Sequence, residues 1–322
     1  MKKAKLFLLA IPLILMACSD PVQSTKQPES PEPPANKLRI GLVMKTLTNP
    51  FFIEMEKGAR KAETQLGISL IVKTAAQETS FEQQVIIMND LIQNKLVDAI
   101  VVAPADAYHL VNSIKNAQVA GIPVVNIDAQ IDRQALKEAR LKNVPFISVD
   151  NEMGGYLSAK TLIADVDKPI KVAILEGIRA AKNANARKSG ALRAFSEKPL
   201  VEVVASESAN WKIDEAYNVT KAMFTKHPDI SLIFAANDMM AIGAIKFLED
   251  TGKVKVKVSG FDALPEVGRA LESGVLVATI DQQAAEQGYQ GVLYAFRMLK
   301  GELLPEETIL NVKLIKGSAA IQ

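Results

Sequence analysis

The sequence has little of the material that metal-dependent and histidine-dependent chemistry requires. Its 322 residues include one cysteine, Cys18, and two histidines, His109 and His227. A single cysteine excludes an intramolecular disulfide. Two histidines are poor material for a metal site or a catalytic triad, and we expect both to be surface helix residues. The formal net charge of +2 is too small to indicate binding to nucleic acid or to a membrane surface.

Catalytic signatures are also missing. The sequence contains no G-x-G-x-x-G, P-loop, G-x-S-x-G, H-E-x-x-H or C-x-x-C motif, and no D-x-[DN]-x-[DN]-G calcium loop. A glycosidase would need two carboxylates across a scissile bond, for which Asp128 and Asp262 are the candidates. The absent motifs give no support to an enzyme, and they lead us to expect no cofactor and no metal.

The first 36 residues read as a targeting segment. "MKKAKLFLLAIPLILMA" (residues 1–17) has lysines, a short apolar run and small residues, which is typical of a secretory signal peptide. "LMAC" resembles a bacterial lipobox, so we expect Cys18 to be lipidated and to anchor the protein; the alternative is an ordinary signal with an incidental cysteine. Residues 18–36 are rich in Pro, Ser and charge, which predicts a disordered tether.

From Lys37 onward, short apolar runs alternate with amphipathic stretches. Such alternation predicts parallel strands joined by helical crossovers. The strands predicted first are Leu38–Met44, Ile68–Val72, Ala99–Val102, Val124–Ile127 and Phe146–Val149. The same alternation of strands and helices begins again at "IKVAILEG" (170–177), and the two halves correspond element by element. The sequence therefore predicts an α/β protein of two doubly wound, Rossmann-like parallel-sheet lobes.

The tail does not fit a division into two consecutive blocks. After "VATIDQQ" come a helix and a further strand, "TILNVKLI". We expect the chain to return to the first lobe and cross back, which makes a hinge of several strands with a cleft between the lobes. The predicted division is 37–149 plus 283–309 for the N-terminal lobe and 150–282 plus 310–322 for the C-terminal lobe.

Polar and aromatic side chains collect where predicted strands end, although aromatic residues make up only 5% of the chain. In "TLTNPFF" an Asn-Pro dipeptide and two phenylalanines follow the first strand. Planar polar groups with aromatic faces suit a sugar, which has hydroxyl edges and apolar C–H faces. The residues at such positions are Phe51, Phe52, Asp128, Trp211, Asn237, Asp262 and Gln282.

The order and spacing of eight segments carry a resemblance. They are "KTLTNPFF", "GIPVVNID", "ISVDNEMGG", "NARKSG", "ANWK", "IFAANDMMAIGA", "VSGFD" and "ATIDQ". Over 37–322 this order resembles the ribose/allose-type periplasmic sugar-binding proteins, which are type I solute-binding proteins of ABC importers. The long stretch from Val125 to Asn151, together with Lys45, is more similar to allose-binding members.

The resemblance implies a ligand site shared by both lobes. It implies that Lys45, Asn49 and Asp128 bond hydroxyls and that Phe51 and Phe52 wall the sugar. From the second lobe it implies Arg187 as a planar donor with Asn183 nearby, a stacking Trp211, further bonds from Asn237 and Asp262, and Gln282 from a hinge segment. Ala129 departs from the family, which has a polar residue there, so the ligand is not assigned to either sugar.

The function implied is an extracytoplasmic binding lipoprotein that captures a monosaccharide or polyol by hinge closure and delivers it to an ABC permease. We expect a monomer on the periplasmic or extracellular face of the cytoplasmic membrane. The alternative is a sensing role, in which the closed form is presented to a chemoreceptor or sensor kinase. Repressors related to the lactose repressor share the two-lobed core, but they need a DNA-binding headpiece where this chain has a signal sequence.

Each site residue also has an ordinary structural interpretation. Asn49 and Asn237 stand where helix N-caps are expected. Asp128 and Asp262 could form turns, and Arg187 on a helix is usually solvated. Phe51 could be a core residue, and Trp211 could cover an interface edge.

Overall fold

The computed structural model describes residues 37–317. The predicted signal peptide, Cys18 and the predicted tether lie outside the described residues, as do residues 318–322. Strands are β1 Arg39–Met44, β2 Ser69–Thr74, β3 Ala99–Val102, β4 Val124–Ile127, β5 Phe146–Val149, β6 Ile170–Glu176, β7 Val201–Ser208, β8 Ile230–Ala235, β9 Lys257–Ser259, β10 Leu276–Asp281, β11 Glu307–Leu310 and β12 Lys313–Lys316. Helices are α1 Pro50–Leu66, α2 Phe81–Gln93, α3 Val111–Val119, α4 Arg133–Glu138, α5 Asn151–Leu162, α6 Lys182–Ser196, α7 Ile213–Lys226, α8 Asp238–Asp250, α9 Gly268–Glu272 and α10 Ala284–Leu299, with a 3₁₀ turn at Pro265–Val267.

The strands form two six-stranded sheets. The first has the order β2-β1-β3-β4-β5-β11 and is parallel throughout. The second has the order β7-β6-β8-β9-β10-β12, and only its edge strand β12 runs antiparallel. The predicted fold class is confirmed, with this antiparallel edge as an addition. We call the first sheet with α1–α4 and α10 the first lobe, and the second sheet with α5–α9 the second lobe.

Alternating side chains of the strands fill separate cores on the two faces of the first sheet. In β1, Ile40, Leu42 and Met44 join the core beneath α1 and α10, whereas Val43 joins the core beneath α2 and α3. Because side chains of a strand alternate between faces, a strand buried on both faces appears in sequence as a continuous apolar run. This burial explains why the strand runs were visible in the sequence.

The chain crosses between the lobes three times. It passes from β5 to α5, from β10 to α10 and from β11 to β12. The predicted single strand "TILNVKLI" is instead two strands, because Asn311 and Val312 separate β11 in the first sheet from β12 in the second. A residue pair outside both ladders can change its backbone angles without breaking a sheet.

Two glycines bring α5 and α6 into close contact in the second lobe. A Cβ on Gly155 would lie 2.2 Å from the carbonyl oxygen of Arg187, and a Cβ on Gly190 would lie 2.0 Å from that of Glu152. Real Cβ atoms do not approach backbone oxygens so closely. The two glycines therefore set where the backbone of Arg187 lies.

We expect Gly155→Ala to destabilise the protein by about 1–3 kcal/mol, because the added methyl group overpacks a helix contact that cannot yield. The free energy of unfolding from urea titration measures this. Gly268→Ala is the matched control: this helical glycine has open space around its would-be Cβ, so the substitution should be neutral or slightly stabilising. Equal effects at both positions would contradict the assigned packing.

Candidate functional site

The predicted site residues come together around one small cavity of about 20 Å³. It lies where the carboxyl ends of strands from the two sheets face each other. Its lining comprises all eleven predicted residues and one more: Lys45, Asn49, Phe51, Phe52, Glu78, Asp128, Asn183, Arg187, Trp211, Asn237, Asp262 and Gln282. The carboxyl ends of parallel strands are where open α/β sheets bind ligands.

Asn49 is a helix N-cap that also belongs to the cavity lining. Its Oδ1 accepts a hydrogen bond from the backbone N–H of Phe51 at 3.1 Å, and Pro50 occupies the first helical position, so Asn49 is the N-cap of α1. Its Nδ2 donates to Oε1 of Glu78 at 2.9 Å. Capping thus leaves the amide nitrogen directed at another residue of the cavity lining. Phe51 and Phe52 follow at once, with ring centroids 5.0 Å apart in an edge-to-face arrangement, and both are buried.

Lys45 and Asp128 form a buried ion pair in the first lobe, with 2.7 Å between Nζ and Oδ2. Asp128 directly follows β4 and has a left-handed backbone (φ 65°). Its carbonyl oxygen accepts from Oγ of Ser148 at 2.7 Å. Asn183 of the second lobe donates from Nδ2 to Oδ1 of Asp128 at 3.4 Å. Asp128 therefore both turns the chain and links the two lobes.

Arg187 is buried, with 2% of its surface exposed, so its interpretation as a solvated helix charge is wrong. Nε donates to Oδ1 of Asn151 at 2.8 Å, Nη1 to the carbonyl of Ala236 at 3.0 Å and Nη2 to Oε1 of Gln282 at 3.0 Å. Nη1 also lies 3.5 Å from Oδ1 of Asp262. A guanidinium this enclosed needs its donors satisfied, and here most of them are.

Aromatic rings enclose the Arg187 guanidinium. Its Cζ lies 3.7 Å from the ring centroid of Phe261 and 5.4 Å from that of Trp211. Trp211 is buried in the second lobe's core, and a Cβ on Gly177 would collide with its indole at 2.0 Å. The interpretation of Trp211 as a cover for an interface edge is therefore incomplete, because the ring both packs in the core and lines the cavity.

Strand ends on this side of the molecule carry backbone strain. Trp211 has φ 68° and Asp262 has φ 119°, and Asp128 likewise has a positive φ. Left-handed conformations cost on the order of 1 kcal/mol for residues other than glycine, and such residues cluster at functional sites. The turn-forming interpretation of the two aspartates is correct, and it is also what aims their side chains into the cavity.

Asn237 is the N-cap of α8, since its Oδ1 accepts from the backbone N–H of Met240 at 2.9 Å. The following Asp238 is fully buried and accepts from Oγ1 of Thr279 at 2.8 Å and from the N–H of Leu264 at 2.9 Å. Asp238 thus ties α8 to the segments that carry Asp262 and Gln282.

Sequence reasoning missed Glu78. It lies in the loop after β2, and its carboxyl lines the cavity beside Asn49. The signal available was its place after a strand of the same sheet, at the edge where the other site residues collect.

Both histidines were predicted to be surface helix residues. His109 instead lies in a turn beside Asp106, and His227 lies at the end of α7.

Burial dominates the electrostatics of the carboxyl groups here. It raises the pKa of Glu78 to about 7, against the attraction of Lys45. It also raises the pKa of Asp238 to about 7, and that of Asp262 well above its usual range although Arg187 lies close by. Burial lowers the pKa of Arg187, against the attraction of Asp262 and Asp128. The site therefore holds carboxyl groups that titrate near neutrality.

Ala129, the residue that departs from the implied pattern, is buried and does not line the cavity. Its carbonyl oxygen accepts from Nδ2 of Asn126 at 2.8 Å.

Among residues 37–317, no group of three or more His, Cys, Asp or Glu side chains is placed to hold a metal ion. Within the same range no helix has both the length and the hydropathy to cross a bilayer.

Arg187→Met should cost about 3–5 kcal/mol of unfolding free energy, because it leaves buried carboxyl groups without their cation. Arg193→Met is the control on the same helix: Arg193 is exposed and 3.6 Å from Glu152, so its loss should cost less than about 1 kcal/mol. Urea titration of both variants measures the difference. Similar losses would show that Arg187 is not the organising charge of the site.

Asp238 makes stability depend on pH. Its folded-state pKa of about 7 exceeds the unfolded value of about 4, so the folded chain holds a proton that the unfolded chain releases. The stabilisation is full below about pH 4 and is lost as pH rises to about 7. We expect Asp238→Asn, whose Oδ1 can accept from the N–H of Leu264 while its Nδ2 donates to Oγ1 of Thr279, to lose less stability than the wild type between pH 5 and pH 8. Asp250→Asn, exposed at the end of the same helix, should keep the wild-type slope.

Comparison with known proteins gives consistent results. The model of the family described as "Periplasmic binding protein domain" matches residues 40–303. The D-ribose/D-allose-binding protein of Pseudomonas aeruginosa is 36% identical over 298 residues, which cover 90% of each chain. The D-allose-binding periplasmic protein of Escherichia coli is 33% identical, with 87% of this chain and 91% of that protein covered.

Solved structures agree with these relatives. An ABC transporter periplasmic solute-binding protein from Actinobacillus succinogenes, with bound D-allose, is 40% identical and superposes with a TM-score of 0.83 over 88% of this chain and 99% of that one. A solute-binding protein from Agrobacterium vitis, bound with α-D-tagatopyranose, is 28% identical with a TM-score of 0.82, over 88% of this chain and 96% of the other.

Proposed function

This chain belongs to the periplasmic binding protein family, and from that premise we propose that it binds a monosaccharide or a related polyol for an ABC importer. The observation that carries the proposal is the single cavity that joins all eleven predicted residues from both lobes. Relatives named for ribose and allose binding cover most of the chain. The family and these relatives are solute-binding proteins, so the function is capture and not catalysis.

We assign ligand contacts to both lobes. In the first, Asn49 and the Lys45–Asp128 pair meet hydroxyl groups between the walls of Phe51 and Phe52. In the second, Trp211 stacks on the C–H face of the ring. The remaining polar contacts come from Asn183, Arg187, Asn237, Asp262 and Gln282.

Closure of the lobes is the working step of this mechanism. A cavity of about 20 Å³ is far below the roughly 300 Å³ and more of ordinary ligand sites, so a sugar enters only when the lobes part. The two lobes already contact each other through Asn183 and Asp128, and through Lys182 and Asp132 at 2.9 Å. A ligand that bonds both lobes favours the closed form by the free energy of those added bonds.

The hinge consists of the three crossings, and the proposed lobes are 37–149 plus 283–309 and 150–282 plus 310–322. Gln282 and Asn311 lie at two of these crossings. Gln282 accepts from Arg187, so a hinge segment contacts the centre of the site. Rotation at the hinge therefore moves a ligand contact directly.

The family places the protein in the periplasm or on the extracellular face of the cell. We propose further that Cys18 is lipidated and holds a monomer at the membrane, with residues 18–36 as its tether. The closed form is then what the permease recognises. In the alternative, a chemoreceptor or sensor kinase recognises it; loss of sugar uptake on deletion of the protein favours transport.

The proposal is tested by unfolding and refolding the purified protein to remove carried-over sugar, then screening pentoses, hexoses, deoxysugars and polyols by thermal shift and calorimetry. A ligand at about 1,000 times its Kd adds roughly 4 kcal/mol of stability. We expect one such ligand with 1:1 stoichiometry and a change in the fluorescence of Trp211, the only tryptophan. If no sugar or polyol binds, the ligand class is wrong.

The same assay tests the residue assignment. Asn183→Ala should weaken binding about tenfold or more, because it removes one contact to the ligand and one between the lobes. Asn185→Ala is the matched control, since Asn185 is exposed on the same helix and bonds the carbonyl of Arg179. An unchanged affinity in Asn183→Ala would remove this residue from the site.

A further inference from the structure

Glu78 is a buried carboxyl group of the cavity to which no role has been assigned above. Its loop is held to the first sheet: the N–H of Ala75 donates to the carbonyl of Met44 at 3.4 Å, and Oγ1 of Thr46 donates to the carbonyl of Ala76 at 3.1 Å. Oε1 accepts from Nδ2 of Asn49 at 2.9 Å. Among the hydrogen bonds of residues 37–317, none is made to the other oxygen, Oε2. Because Glu78 lines the cavity, this oxygen is available to what the cavity encloses.

The cations of the cavity are already committed to other carboxylates. Lys45 lies 2.7 Å from Asp128, and Arg187 lies 3.5 Å from Asp262 and gives its remaining bonds to neutral acceptors. Glu78 forms no ion pair with any residue in the described range 37–317. Its only side-chain partner there is the neutral amide of Asn49.

The groups that face Glu78 come from four elements. Lys45 follows β1, Asp128 follows β4, Arg187 lies on α6 and Asp262 follows β9. Two of these groups are cations and two are carboxylates, and each cation lies beside one of the carboxylates. Glu78 itself has no cation at ion-pair distance among the described residues, and a buried charge without a partner is neutralised by a change of protonation.

We propose that Glu78 is neutral in the closed state and donates a hydrogen bond from Oε2–H to an oxygen of the enclosed ligand. This inference rests on the proposed function. It makes Glu78 a specificity-determining residue, because a protonated carboxyl group donates a hydrogen bond where an ionised one can only accept. A ring oxygen carries no hydrogen and can only accept, and Glu78 supplies the kind of donor that it requires.

The proton enters on closure. In the open form Glu78 faces water, and a solvated glutamate has a pKa of about 4.3. Closure buries the carboxyl group and raises its pKa to about 7. A group whose pKa rises on closure favours the closed form at low pH, and that advantage is lost as pH rises through about 7. Linkage with these two values gives uptake of about 0.9 proton per ligand bound at pH 6 and about 0.1 at pH 8, and a Kd about tenfold higher at pH 8.

The experiment is calorimetry of the whole protein with D-allose at pH 6, in buffers of different ionisation enthalpy. The binding heat itself reports the proposed function, and its dependence on the buffer counts the protons taken up. Glu78→Gln keeps an acceptor for Asn49 and places an N–H donor where Oε2–H would be. We therefore expect it to bind within a few-fold of wild type at pH 6, to take up about 0.9 proton less, and to lose most of the pH dependence.

Controls separate Glu78 from its neighbours. Asp262 can take up a proton of its own, so the quantity assigned to Glu78 is the difference between wild type and Glu78→Gln. Glu82→Gln, exposed in the first turn of α2, should leave proton uptake unchanged. If Glu78→Gln does not fold, infrared difference spectra of the wild type labelled with [¹³C]glutamate still decide, because D-allose should produce the isotope-shifted carbonyl band of a protonated glutamic acid.

Any one of four results would overturn the inference. Equal proton uptake in wild type and Glu78→Gln, or no isotope-shifted band, shows that Glu78 stays charged. A loss of affinity in Glu78→Gln of more than about tenfold at pH 6 shows that the charge itself is needed. No binding heat with D-allose or with any sugar of the screen overturns the proposed function, and the inference with it.

Discussion

The enclosed guanidinium of Arg187 is the interaction on which the site depends. A buried cation is tolerated only where its donors and its charge are both satisfied, and Arg187 draws its partners from separate parts of the fold. Asn151 opens α5 at one crossing, Gln282 follows β10 at another, and Ala236 follows β8. Gly155 has no side chain, so the backbone of Arg187 can pack directly against α5. The charge requirement therefore fixes the relative positions of two hinge segments and one strand end.

Two kinds of constraint act on the same residues. Asn49 and Asn237 cap helices with one amide atom, and Asp128 and Asp262 turn the backbone through left-handed conformations. These structural duties orient the second atom or the carboxyl group toward the cavity. A structural role and a place in the cavity lining are therefore compatible, because the local geometry of a strand end or helix start is what aims the side chain.

Much of this architecture was predictable because its causes are local. Strands buried on both faces, such as β3 and β4, appear as apolar runs, and Gly67 marks the end of α1 with its left-handed backbone. Arg187 was chosen through a family resemblance; its burial was not predictable from the helix, since its partners lie 36, 49 and 95 residues away in the chain. Glu78 was missed for a similar reason: its loop takes its course from bonds to Met44, at the end of β1, and to Thr46, just after that strand.

The three crossings also order the events of folding. The covering helix α10 and the edge strand β11 of the first sheet follow α5–α9 and β6–β10 of the second lobe in the chain, and only β12 comes later. During synthesis, strands β1–β5 are therefore made well before α10 and β11, which complete the core and the edge of their sheet. Pairings so distant in sequence form slowly, and the unfinished sheet exposes an unpaired edge meanwhile. Connectivity of this kind therefore lengthens the time for which the edge of the first sheet is left unpaired.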